Sequence, residues 1–288
     1  MANLKEIRNR ISSVGSTMQI TSAMKMVSAA KLKKAQDAIT AMRPYSDKLT
    51  ELLQGLSATL EGNNASKFAE TREVNNVLVV TITSNRGLAG AFNTNVAKES
   101  KNLAQNVYQG KKVDFLTIGK KGHDLLKKSF TVIDNNNAVF DDLTFDNVSD
   151  IAEKLMDLFT QGTYDRILLV YNQFKNAATQ VVMTEQFLPI QPIEDDKNAS
   201  QNLDYIFEPS KAEIVETLIP KSLKTQLFKG IRDSVASEHG ARMTAMHKAT
   251  DNAKALKDDL TLSYNKARQA AITNEILEIV GGAEALNS

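Results

Sequence analysis

Apolar residues recur near the start of the chain at Leu4, Ile7, Ile11, Val14 and Met18, and Thr21 continues the rhythm, alternately three and four apart. That alternation places every member on one narrow helical stripe, the seam of a coiled coil. The pattern continues less regularly through Met24, Val27, Ala30 and Ala35. Pro44 predicts a break or kink, and Leu49, Leu52, Leu53 and Leu56 extend the helix beyond it. Gly55 and Gly62-Asn63-Asn64 end it.

The period then changes. Residues 77–83, Val-Leu-Val-Val-Thr-Ile-Thr, read as a buried strand, followed by the turn Ser84-Asn85-Arg86-Gly87-Leu88-Ala89-Gly90 and a helix over about 93–108. A second unit repeats the plan, with a strand at 112–118, a turn at Gly119-Lys120-Lys121-Gly122 and a helix at 123–128. A short strand at 132–133, a helix at 147–161 and strands at 166–173 and 180–189 complete the middle. Strands alternating with helices predict a mostly parallel sheet with helices packed on it. Residues 195–201 form a polar loop, and Pro209 and Pro220 punctuate the return.

From Lys221 the chain reads as helical for about sixty residues, roughly 90 Å if straight. Its seam runs Ala241, Ala245, Ala249, Ala253, Leu256 and Leu260, and the small side chains admit a close partner. The N-terminal helix flanks the same α/β segment, so the two pair antiparallel, with the left-handed supercoil that heptads impose. The alternative packs each helix singly on the α/β core.

Net charge over 288 residues is +1, but it is unevenly placed. Residues 1–48 carry +6, 49–220 carry −7, 221–268 carry +5 and 269–288 carry −3. A basic helix pair is therefore joined to an acidic middle, which bears on partners and not on fold. There is no cysteine, which excludes disulfides, thiolate metal sites and thiol nucleophiles together. No apolar run approaches the length of a membrane span. The opening Met-Ala-Asn-Leu-Lys-Glu-Ile-Arg has neither the apolar core of a secretory signal nor the character of a transit peptide.

Candidate chemistry is thin. Arg86-Gly87-Leu88-Ala89-Gly90 lies where a helix N-terminus cradles an anion, but does not fit G-x-G-x-x-G. Gly119-Lys120-Lys121 resembles the end of a phosphate-binding loop, yet Asp114 stands where that loop needs glycine and position 121 is not Ser or Thr. Tight α/β turns need glycine in any case. His239 and His247 are eight apart, too far for an i,i+4 metal pair. No catalytic, cofactor-binding or metal residue is assigned. The basic ends lack a base-reading motif, and they fit an acidic protein surface better than nucleic acid. A nucleotide-binding enzyme with a helical arm and a basic adaptor for nucleic acid or membrane stay open as alternatives.

The C-terminal run Ile272-Thr273-Asn274-Glu275-Ile276-Leu277-Glu278-Ile279-Val280-Gly281-Gly282-Ala283 closely resembles the signature of the gamma subunits of F-type ATP synthases. Tyr264-Asn265-Lys266-Ala267-Arg268-Gln269-Ala270, Ala241-Arg242-Met243-Thr244-Ala245-Met246, Arg43-Pro44-Tyr45, Lys5-Glu6-Ile7-Arg8 and Met24-Lys25-Met26-Val27 are similar to the same family, as is Thr83–Gly90 to its first βα turn. The resemblance spans the chain in order. It implies a fold in which the N- and C-terminal segments form an antiparallel two-helix coiled coil beside a central Rossmann-like α/β domain. The expected boundaries are 1–60 and 209–288 for the helices and 75–195 for the domain.

The implied role is a rotary shaft without a catalytic site, cofactor or metal. One copy would stand inside a ring of three alpha and three beta subunits, on a c ring and beside epsilon. It would lie peripherally on the cytoplasmic face of a bacterial membrane, touching lipid only through the complex. By motif, Arg268 and Gln269 grip a beta loop. Met24 and Arg242 are further contacts with the ring, Thr273, Glu275 and Glu278 belong to the signature near the tip, and Asp204 and Tyr205 face the c ring and epsilon. The cysteine-bearing insertion of chloroplast relatives is absent, so thiol control is not expected.

Overall fold

The computed structural model describes residues 4–57, 67–190 and 211–287. In order, these are α1 (Leu4–Ser57), β1 (Asn76–Ile82), α2 (Phe92–Asn102) with a π-helical turn at Leu103–Val107, β2 (Lys112–Ile118) and α3 (Lys120–Leu126). Next come β3 (Val132–Asn135), a 3-10 turn at Asn137–Phe140, α4 (Phe145–Thr160), β4 (Arg166–Phe174), β5 (Gln180–Leu188) and α5 (Lys211–Asn287). They divide into two compact units, Met1–Ser28 with Met243–Ser288, and Ala29–Arg242.

The larger unit is built on a five-stranded sheet of order β3-β2-β1-β4-β5. All neighbours are parallel except β4 and β5, which run antiparallel. The strand period of two sends alternate β1 residues to opposite faces. Leu78, Val80 and Ile82 join a core with Ile151, Leu155 and Phe159 of α4 and Leu223, Leu227 and Ile231 of α5. Val77 and Val79 face the other way, onto Val96 of α2 and Leu126 of α3. β1 is covered on both faces and is buried along almost its whole length, as expected of a central parallel strand. Thr144 starts α4 by accepting the Asn147 amide on its hydroxyl. Gly240 lets α5 approach the end of β4: a Cβ there would lie 3.1 Å from the Ala177 carbonyl oxygen.

Pro44, expected to break or kink a helix, lies inside α1, and Pro220, expected to precede the last helix, lies inside α5, which starts at Lys211. Each flanks residues buried in this unit, Ser46 and Leu49 in the first case and Ile219 and Leu223 in the second. Packing of those neighbours offsets the one backbone hydrogen bond a proline removes.

The smaller unit is an antiparallel helix pair. Arg8 donates to the Tyr264 hydroxyl at 2.6 Å, Thr250 to the Thr21 hydroxyl at 2.8 Å, and Lys25 Nζ lies 3.4 Å from His247 Nδ1. Rising numbers on α1 thus meet falling numbers on α5. The seam contains Ile7 and Thr21 on one helix and Met246 and Ala253 on the other. The expected seam needs two corrections. Val27 is 56% exposed and Ala30 is exposed, while Ser28 is buried in this unit, and Leu32 and Ile39 are buried with the expected Ala35 in the larger one. On α5, Leu256 is 50% exposed and its neighbour Lys257 is the more covered residue.

Candidate functional site

In a doubly wound sheet the natural ligand crevice lies beyond the carboxyl ends of the strands, where the strand order reverses. Here that is beyond β1 and β4. The turn after β1 is held by its own neighbours. Ser84 N donates to Asn93 Oδ1 at 2.9 Å, Ser84 Oγ to the Arg86 carbonyl at 2.7 Å, and the Lys120 and Lys121 amides to Asn85 Oδ1 and the Ser84 carbonyl. The Gly122 amide donates to Thr83 Oγ1 at 2.8 Å. The backbone donors that a phosphate would need are thus engaged by acceptors within these two junctions.

α5 closes the crevice from the other side. Ser237 donates to the Asn172 carbonyl at the end of β4, at 3.0 Å. Arg242 is only 8% exposed. Its Nη1 lies 2.6 Å from Glu238 Oε1, and its Nη2 donates to the carbonyls of Arg86 and Gly87 at 3.1 and 3.2 Å. Burial pushes the Glu238 carboxyl up, opposed by Arg242, Lys31 and Arg86. Burial, then Arg242 and Lys31, holds His239 down at about 4. Its Nδ1 is buried without a hydrogen-bond partner. Among the described residues no group of three or more His, Asp or Glu is placed to hold a metal ion.

The remaining candidates lie on the helix pair. Met24 is half-buried on α1, near the level of His247. Arg268, Gln269, Thr273, Glu275 and Glu278 are exposed on α5, with Thr273 donating to the Gln269 carbonyl within the helix at 2.9 Å. About twenty residues separate the level of Met24 from Arg268, roughly 30 Å of helix, so these are two zones. Arg8 meets Tyr264, so Leu4, the first described residue of α1, lies near the level of residue 268. Beyond it, every side chain from 269 to 283 is exposed, including Ile272, Ile276, Leu277, Ile279 and Val280. Asp204 and Tyr205 lie outside the described residues.

Sequence reasoning did not single out Glu238 or the pairing of Thr21 with Thr250. Glu238 stands four before Arg242, a spacing that favours a helical ion pair and could have been noticed.

The family model described as ATP synthase matches residues 3–286. The ATP synthase gamma chain of Flavobacterium psychrophilum is 74% identical over 286 residues, covering 99% of both chains. That of Christiangramia forsetii is 69% identical over the full length of both. The chain belongs to the ATP synthase gamma chain family. Among solved structures, a chain from the central stalk and c ring of the Tetrahymena thermophila mitochondrial ATP synthase is 25% identical, with a TM-score of 0.57 over 80% of this chain and 99% of that one. A chain of the Euglena gracilis mitochondrial enzyme matches with a TM-score of 0.68 at 21% identity, covering 98% and 94%. That likeness extends the fold to distant relatives: long terminal helices and a central sheet. No described helix is long and apolar enough to cross a membrane.

Proposed function

We propose that the chain turns as the central shaft of an ATP synthase, coupling ion flow through a membrane c ring to ATP synthesis or hydrolysis on the beta subunits. It contributes no catalytic residue. Its partners are the alpha and beta subunits, epsilon and the c ring, one copy serving each complex, at the cytoplasmic face of a bacterial membrane.

The observation that carries this reading is the end of α5. It continues past the start of α1 as one helix with an exposed surface, five of whose side chains are large and apolar. Such a surface is costly in water unless another protein encloses it. An apolar contact also has no directional bonds to break at each angle, which suits a bearing. Just before it, exposed Arg268 and Gln269 supply the polar grip, and Thr273, Glu275 and Glu278 continue the contact. Met24 faces the ring lower on the shaft. Asp204 and Tyr205 belong to the foot that meets the c ring and epsilon.

Two unlike helices make an asymmetric shaft, and asymmetry is what three equivalent sites require if they are to be biased differently. Each contact shifts a site only by its differential energy, about 1.4 kcal/mol per tenfold in nucleotide affinity. The test is a native pull-down with quantified stoichiometry. The expected result is one copy per three alpha and three beta subunits. Recovery as a free homo-oligomer, or ATP turnover by the isolated chain, would overturn the reading.

A further inference from the structure

Arginine side chains are seldom so enclosed as Arg242. Its partner Glu238 sits one turn earlier on α5, and both side chains are nearly covered, 10% and 13% exposed. The other terminal nitrogen of the guanidinium reaches two successive carbonyls, of Arg86 and Gly87. The residue that follows, Leu88, has φ 62°, the one positive value among the described non-glycine residues. Left-handed backbone disfavours leucine and persists only where the surroundings hold it. Leu88 nevertheless points away from the core and is 65% exposed. The same turn is anchored from its other flank, where Asn85 Nδ2 donates to the Asn137 carbonyl and Asn85 Oδ1 accepts the Lys120 amide.

A guanidinium has five donors in a fixed fork and no acceptor. Here the fork joins a covered carboxylate to two carbonyls, an arrangement that leaves the charge facing inward. We infer that Arg242 serves the rotor as a positioning residue: held by Glu238, it clamps the Arg86 and Gly87 carbonyls and fixes the turn that sets Leu88 outward, and it does not itself reach a partner subunit. This rests on the rotor reading, and it departs from the direct ring contact that the family resemblance implies at Arg242.

The absence of cysteine makes the test direct. Leu88→Cys supplies one thiol for a nitroxide label in complete ATP synthase complexes otherwise free of reactive cysteine. Coupling, as ions pumped per ATP hydrolysed, is read in unlabelled complexes that retain Leu88. Arg242→Gln is expected to raise label mobility at 88 and to lower coupling at least threefold. Glu238→Gln should do the same, and the double variant should be no worse than either single one. Arg242→Lys keeps the charge but has a single nitrogen in place of the two that bind the Glu238 carboxylate and the carbonyl pair separately, so it should behave like the Gln variant. Wild-type coupling with Arg242→Lys would overturn the inference, because a direct charge contact would survive that change. So would lowered coupling with an unmoved label, or a freed label with coupling intact. If Arg242 variants fail to assemble, Leu88→Ala leaves the clamp in place and should still lower coupling; unchanged coupling would overturn the inference. Failure of the rotor reading looks different: the unaltered chain would neither co-purify with the ring nor support pumping.

Discussion

A Cβ on Gly119 would lie 2.2 Å from the Thr83 carbonyl oxygen, and φ there is +113°. Neither the contact nor the backbone can relax cheaply, because Thr83 is itself bonded to β2 and α3. Gly119→Ala should therefore cost about 3 kcal/mol or more. Denaturant unfolding that shows less than about 1 kcal/mol would sink this account of the turn. His239 gives a second residue-scale expectation. Its folded value, about 4, lies below the ordinary 6.5. Between those values the unfolded chain binds the proton and the folded chain does not, so stability rises with pH across that window. The ring is partly exposed, so solvent screening limits the effect to the order of 1–2 kcal/mol. Glu238 shifts upward and acts in the opposite sense over its own range. The measurement is thus a difference: His239→Asn should flatten the pH dependence relative to the parent, and an unchanged slope would refute the assignment. Gly119 was legible as a tight α/β turn, whereas the surroundings of His239 and Arg242 were not. A histidine or arginine in a basic helix reads as solvated charge, and only the third dimension brings Lys31 and the Arg86 carbonyl alongside.

At the scale of elements, the strands were the most legible part. Their β-branched runs are bounded by glycine turns, and the expected starts and ends of β1, β2, β4 and β5 lie within a residue or so of those observed. The helix seam was legible only where apolar residues mark it. From Leu4 to Thr21 the pattern and the covered positions agree. Beyond Thr21 the covered positions are Lys25, Ser28, Leu32, Ala35 and Ile39; Ala35 was expected among them, but exposed Val27 and Ala30 drew the expected pattern to the wrong face. Lysine can lay its methylene stem along a seam and keep its charge in water, which is why Lys25 and Lys257 hide the period. Leu32 is 7% exposed. Leu32→Ala should cost about 2–4 kcal/mol, whereas Val27→Ala should stay within about 0.5 kcal/mol. Equal losses in thermal unfolding would restore the seam that runs through Val27. The mostly parallel sheet with helices packed on it was legible as a topology, and the crevice at its carboxyl edge emerges from the strand order. That α5 closes the crevice was not legible, since a glycine such as Gly240 looks like an interruption until Ala177 is found against it.

For the whole molecule, the question is what the family role asks of parts that do nothing for the fold. Each strand, α2, α3 and α4 has a covered face, and so do α1 and most of α5. The last stretch of α5 does not. Its C-terminal signature was legible by motif, but motif says nothing about whether those residues pack inward. The structure leaves residues 269–283 exposed, Ile272 and Val280 included. Conformational order there adds no buried area to offset the entropy of fixing the helix. Removing residues 270–288 should consequently shift the unfolding midpoint of the chain by less than about 2 °C. In the assembled enzyme the same removal takes away the apolar bearing proposed for the shaft, and ions pumped per ATP should fall while the truncated chain still folds. Two outcomes count against this division of labour. A large drop in the midpoint would mean that the tip stabilises the fold after all. Full coupling without the tip would mean that torque passes entirely through the contacts before it, beginning with Arg268 and Gln269.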